Sequence, residues 1–313
     1  MTKRYIPICF LVLFELLACK RDAPVYDRSA KKLVFVVVDG PRWEETWGDN
    51  THQYQPYLRD SLQQLGSLFT NFYNNGVTLT VPGHTALLTG HYQDIANTGT
   101  EYPVYPSLAQ LFLAERRTGP SDSWLVTSKD KLEVLKSCIT PEWKDRYTPD
   151  TDCGPSGNGS GYRDDSTTFA HAIKILQQQH PDFIFIHFKE PDASGHANNW
   201  QGYLNGIMQG DKHCWQLWKF IQSSPYYRDN TNFVITNDHG RHHNGIADGF
   251  VSHGDNCDGC RHINLFMAGP DVKRGQIISL PYEQVDLHKT LCYLYGLDDR
   301  YSEGKIIHEI TPH

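Results

Sequence analysis

Residues 32–39 read Lys-Leu-Val-Phe-Val-Val-Val-Asp, an apolar run closed by an acid and followed by Gly40. A strand covered by helices on both faces has this look, since neither face meets water. The pattern recurs at residues 124–127, 183–188 (Phe-Ile-Phe-Ile-His-Phe), 232–236 and 263–268. Between these runs the apolar positions change to helical spacing. Residues 54–66 place Tyr57, Leu58, Leu62 and Leu65 on one stripe. Residues 106–115 form a second helix with Pro106 near its start, and 166–180, 204–222 and 283–295 are three more. Strands alternating with helices predict an α/β fold: a doubly wound, mostly parallel central sheet with helices on both faces. Its site should lie at the carboxyl edge of the strands. Residues 138–162 carry Pro, Gly, Asp and Ser without periodicity and read as a long loop or lid.

The polar residues that close these runs are where chemistry gathers. Asp39 ends the first. Lys189-Glu190-Pro191-Asp192-Ala193-Ser194-Gly195-His196 follows the 183–188 run, and Asn237-Asp238-His239-Gly240 follows the 232–236 run. One acid after a strand is commonly a helix cap or turn former; three of them at three strand ends point to convergence. Asp192 and His196 are four apart across a glycine, so a turn can aim both at one ion. Asp238 and His239 are adjacent, and His253-Gly254 precedes another strand. Carboxylate oxygen with imidazole nitrogen is the donor mix of catalytic zinc, and the set is large enough for two Zn2+, with Mn2+ or another divalent ion compatible. A two-metal site clamps the attacking and leaving oxygens of a displacement.

The stretch Thr78-Leu79-Thr80-Val81-Pro82-Gly83-His84-Thr85 reads as a β-like run stopping at Pro82, with helix-like sequence after it. The Thr80 hydroxyl at such a turn stands beside free N–H groups that suit an anion. A threonine needs a base or a metal to become a nucleophile.

Composition narrows the class. Of 313 residues 39% are hydrophobic and 21% charged, which is ordinary for a globular chain. A net charge of -7, with no basic run beyond the N-terminus, argues against duplex nucleic acid as a partner. Met1-Thr2-Lys3-Arg4, an apolar stretch and Leu16-Leu17-Ala18-Cys19 give residues 1–18 the form of a signal peptide. Its ending resembles a bacterial lipobox, which makes Cys19 the lipidated anchor to a membrane, residues 19–30 a tether and residues 31–313 the catalytic domain. The expected location is the periplasm or cell surface of a bacterium. In an oxidising compartment Cys138 and Cys153 are placed to staple the loop they flank, and Cys214 and Cys292 read as buried thiols. Cys257-Asp258-Gly259-Cys260 reads as a local disulfide rather than structural zinc, which would lack an evident fourth ligand. Arg241, His242 and His243 read as exposed loop residues.

The motifs at Val38-Asp39-Gly40, Thr80–His84, Glu190–His196, Asn237–Gly240 and Ser252-His253-Gly254 follow the order of the alkaline phosphatase superfamily. They resemble most its nucleotide pyrophosphatase/phosphodiesterases and Thr-nucleophile phosphatases. The resemblance implies one zinc on Asp192, His196 and His253, and a second on Asp39, Asp238, His239 and the Thr80 oxygen. It makes Thr80 the nucleophile of a phospho-threonine route. Two departures stand out. The Asn that binds a phosphate oxygen in relatives is matched at shifted spacing by Asn97, and the sulfatase Cys/Ser-x-Pro-x-Arg nucleophile is absent. Ser128-Lys129-Asp130-Lys131 resembles the Lys-Asp-Arg element that holds a terminal phosphate, so Lys129 and Lys131 join Asn97 as substrate-binding candidates. The implied activity is a two-zinc phosphohydrolase acting on small-molecule phosphate esters, monoesters preferred. A phosphodiesterase or nucleotide pyrophosphatase is the nearest alternative; a metal-stabilised surface lipoprotein without catalysis is another.

Overall fold

A computed structural model describes residues 30–311; the signal peptide, Cys19 and all of the tether except Ala30 lie outside the described residues. β1 (Lys32–Val38) is central, pairing in parallel with β5 (Phe183–Phe188) on one side and β6 (Thr231–Thr236) on the other. Its alternate residues serve two cores. Leu33, Phe35 and Val37 pack on one face with α1 (Thr80–Thr89), α2 (Leu108–Arg116) and α7 (Gln284–Tyr295). Val34, Val36 and Val38 pack on the other with α3 (Asp165–Gln178) and α5 (Trp200–Ser223). This two-sided burial is why the run has no polar alternation.

The sheet continues beyond β5 to β3 (Ser123–Thr127) and then β4 (Asp150–Cys153), both parallel. Beyond β6 come β7 (His262–Ala268), β2 (Gly66–Tyr73) and β8 (Gln276–Ile278), with β9 (Tyr282–Glu283) also on β2. β7 is antiparallel to both β6 and β2, so the sheet is mixed, with mostly parallel strands. Two short helices complete the chain, α4 (Asp192–His196) and α6 (Asp258–Arg261).

Several local readings need correction. Residues 54–66 contain one irregular helical segment, Tyr57–Leu62, and a short turn, with Leu58 and Leu62 buried but Tyr57 exposed. β2 is absent from the sequence reading because Ser67, Thr70 and Asn71 interrupt its apolar run. Residues 138–162 are more than a loop, for they include β4. Gly154 N donates to Thr127 O at 2.8 Å, Asn158 Nδ2 to Gly99 O at 2.7 Å and Gly161 N to Asp130 Oδ2 at 2.9 Å. The six cysteines among the described residues are free thiols, Cys138 and Cys153 included. No helix of the described residues is long and apolar enough to cross a membrane.

Candidate active site

The carboxyl ends of β1, β5 and β6 deliver three acids to one place. Asp39 follows β1 and donates its N–H to Phe188 O at 3.0 Å; Asp192 opens α4 and donates its N–H to Asp39 O at 3.2 Å. Asp238 stands two residues past β6. All three are buried. Thr80 arrives differently from expectation. No strand precedes it; α1 begins at Thr80 itself, after a loop from β2, with Leu79 as the extended N-cap. Pro82 then lies in the first turn, where its missing N–H costs no helix bond. The β-branched residues around it are therefore helical, set there by packing rather than propensity. α1 lies hard against the Asp238 backbone at Gly83, where an added Cβ would sit 2.7 Å from Asp238 O.

Around these acids the side chains form two overlapping clusters, Asp39–Asp238–His239 and Asp192–His239–His253, the donor atoms of each within 4.8 Å of one another. His239 Nε2 is 3.2 Å from Asp238 Oδ2 and 3.6 Å from Asp39 Oδ1; His253 Nε2 is 3.2 Å from Asp192 Oδ1. His196 stands at the mouth, half exposed, with Nε2 3.0 Å from His253 Nε2 and 3.3 Å from Asp192 Oδ1. Backbone carbonyls fix both inner imidazoles. His253 Nδ1 donates to Thr78 O at 2.7 Å and His239 Nδ1 to Gly240 O at 3.0 Å, leaving each Nε2 lone pair facing the acids. Burial pushes His239 down to about 4, so it is neutral, as a ligand must be. Asp39 Oδ1, Asp238 Oδ2 and His239 Nε2 are buried without a hydrogen-bond partner. Orphaned acceptors gathered in this way fit a divalent cation.

Lys129 brings the positive charge. Its Nζ lies 2.7 Å from Asp39 Oδ2 and 2.6 Å from Asp192 Oδ2, and donates to Thr80 Oγ1 at 3.2 Å. Burial alone would depress its pKa, but Asp192, Asp39 and Asp238 outweigh that and raise it. Burial likewise opposes ionisation of Asp39 and Asp192, yet the ammonium holds both well below the usual carboxylate range. Asn97 Oδ1 accepts from Val81 N at 2.8 Å and from Lys131 Nζ at 3.1 Å, which places both residues at the N-terminus of α1.

Three residues were not read as part of this centre. His187, next to last in β5, donates from Nε2 to Asp39 Oδ2 at 2.8 Å; burial pushes it down to about 4. It is the lone ionisable group in an apolar strand, and that was its signal. His84 donates from Nδ1 to Thr80 O at 2.7 Å and lies 3.2 Å from Asp238 Oδ2. Arg241 is buried, not exposed: its guanidinium pairs with Asp192 and donates to Phe250 O and, at 2.6 Å, to Val251 O.

The sulfatase family model matches residues 31–297. The chain belongs to the sulfatase family. That places it in the alkaline phosphatase superfamily, with the fold expected of it. This sulfatase-family chain is 27% identical over 287 residues to GPI ethanolamine phosphate transferase 1 of Neurospora crassa, covering 82% of this chain and 27% of that protein. It is 26% identical over 247 residues to ectonucleotide pyrophosphatase/phosphodiesterase family member 7 of Rattus norvegicus, covering 74% of this chain and 54% of the relative. The chain thus spans about a quarter of the first relative and about half of the second. Among solved structures it is similar to an inactive threonine-to-alanine variant of murine ectonucleotide pyrophosphatase/phosphodiesterase 5 in complex with AMP. The TM-score is 0.61 at 17% identity, over 88% of this chain and 98% of that one.

Proposed function

We propose that the chain is a metal-dependent phosphoric ester hydrolase with Thr80 as nucleophile. The observation that carries this is Lys129 Nζ bonded to Thr80 Oγ1 beside a buried, partly orphaned set of acids and imidazoles. Asp39, Asp238 and His239 would hold one divalent ion, zinc by donor type, and Asp192, His196 and His253 the other. The pair supplies Lewis acidity that favours the ionised hydroxyl and offsets phosphoryl charge.

The rest falls to the chain's own groups. Thr80, its proton released to water, attacks phosphorus through Oγ; the bond to the leaving oxygen breaks, that oxygen takes a proton from water, and a phospho-threonine remains for a further water to cleave. Lys129 keeps its proton, so it is not the base; it donates to the developing Thr80 oxygen and to a phosphoryl oxygen. Asn97 has its oxygen committed to Val81 N and Lys131, and offers its Nδ2 hydrogens to the phosphate. A second cationic side chain suits a monoester, which carries one more charge than a diester. The transferase name of the Neurospora relative favours a second reading, in which an alcohol rather than water accepts the group from Thr80. The Cys19 anchor, export and a bacterial surface location belong to the same proposal.

The test is a screen of the purified chain against aryl phosphate monoesters, diesters and sulfate esters, with metal content measured alongside. Monoester turnover that chelation removes is the expected result. Turnover of sulfate esters alone, or none with both metals bound, overturns the reading.

A further inference from the structure

A second group of ligand-type side chains lies behind the His253 loop. His242, Asp255, Cys257 and Cys260 bring one Nε2, one carboxylate oxygen and two Sγ within 4.8 Å of one another. His242 and Cys260 are buried. No residue of this group belongs to the two clusters around Thr80.

Each donor is aimed by its neighbours. His242 Nδ1 faces outward, 3.3 Å from Asp248 Oδ1 and 3.2 Å from Ser252 Oγ. That pairing places the ring hydrogen on Nδ1 and turns the Nε2 lone pair toward the thiols, as a carboxylate does behind a metal-bound histidine. Nε2 is buried and has no hydrogen-bond partner, although Asp255 Oδ2 is 3.1 Å away: two acceptors face each other. Asp255 uses its other oxygen, Oδ1, to accept from Cys257 N at 2.9 Å. Cys260 N points at Cys257 Sγ at 3.4 Å, an amide directed at sulfur across a Cys-x-x-Cys turn. The turn cannot drift, because Gly240 N donates to Cys260 O at 2.8 Å and the Gly240 and Gly259 backbones touch with no room for a Cβ.

We propose that these four residues bind a structural Zn2+. Two thiolates, an imidazole and a carboxylate make a four-ligand set, and donors gathered within 4.8 Å need only small side-chain shifts to reach about 2.0–2.3 Å from one ion. The sequence lacked an evident fourth ligand because His242 lies well before the Cys pair and meets it only in the fold, while Asp255 stands two residues before Cys257. Binding releases the two thiol protons. The ion would tie the segment after Asp238–His239 to the segment carrying His253, whose Asp255 carbonyl also accepts from Thr78 Oγ1 at 2.8 Å. It would thus hold the inner imidazoles in register without touching substrate.

The test uses the full chain purified without reductant, and Co2+ as the probe. Co2+ loading is expected to produce a thiolate-to-metal absorption band and tetrahedral visible bands, and Cys257→Ser to abolish the first while lowering bound metal by one ion per chain. Thiol labelling of the untouched protein should be slow until a chelator is added. The active-centre ligands contain no sulfur, so the band reports this site whether or not the protein turns over phosphate esters. A Cys257–Cys260 disulfide in the isolated protein with no thiolate band after reduction, or a band that survives Cys257→Ser, overturns the proposal.

Discussion

Lys129 Nζ lies within hydrogen-bond reach of Thr80 Oγ1 and of one carboxylate oxygen each from Asp39 and Asp192. One ammonium therefore serves both the proposed nucleophile and an acid of each of the two clusters. Lys129→Ala is expected to lower kcat/KM for an aryl phosphate monoester at least tenfold, about 1.4 kcal/mol, and for a diester much less. Metal affinity should hold or rise, since a competing cation for Asp39 and Asp192 has gone. Parallel kinetics and metal titration check both halves; equal losses on the two substrates would move the assignment to phosphodiesterase.

Thr80→Ala removes one hydroxyl from a helix start that Asn97 still caps through Val81 N. The expected outcome is loss of turnover with fold and bound metal retained, read by circular dichroism and elemental analysis beside the assay. Near-normal activity would exclude Thr80 as nucleophile.

Asp238→Ala should lose metal together with activity, because Asp238 Oδ2 faces both His84 and His239. His187→Ala is milder in kind. It touches Asp39 rather than the ion, and the expected loss is roughly 10–100-fold in metal affinity. Isothermal titration with Zn2+ separates the two cases.

Gly83→Ala sets two effects against each other. Helix propensity gains up to about 1 kcal/mol, but the new methyl meets Asp238 O at 2.7 Å. Overpacking of about 1–3 kcal/mol wins, so denaturant melts should show a destabilised variant. Its metal affinity should also fall, because the displaced backbone carries a ligand.

Acid stability depends on His288, buried in α7 and pushed down to about 3 by burial, then by Lys289. The unfolded chain binds this proton below about pH 6.5 and the folded chain does not until about pH 3, so stability falls as pH drops through that window. The slope from this one group approaches about 1.4 kcal/mol per pH unit. His288→Gln should flatten the fall between pH 6 and 5 by that order, as followed by urea unfolding; an unchanged slope would refute the assignment.

The strands that frame the site were legible because burial on both faces leaves an unambiguous run, and Phe183–Phe188 was read to the residue. The acids after them were legible for the same reason, since a strand end fixes where the next polar group points. The start of α1 was not, because Thr and Val favour strands locally and tertiary packing overruled them. Arg241 and His242 were misread as exposed because nothing in the 240–243 sequence shows that Cys260 and Phe250 fold over them. His187 could have been read: an imidazole in an otherwise apolar strand needs a partner, and Asp39, just past the end of the neighbouring strand, was available.

The region between Cys138 and Tyr162 is fastened to the sheet by β4 and by bonds to Thr127, Gly99 and Asp130. A flap that folds over its substrate selects by how well closure proceeds; a wall built into the sheet selects by shape, before any motion. Under the proposed function, discrimination among leaving groups would be steric exclusion from a rigid mould, and new specificities would come by recasting residues 138–162 while Thr80 stays at the start of α1 and the acids stay at the strand ends.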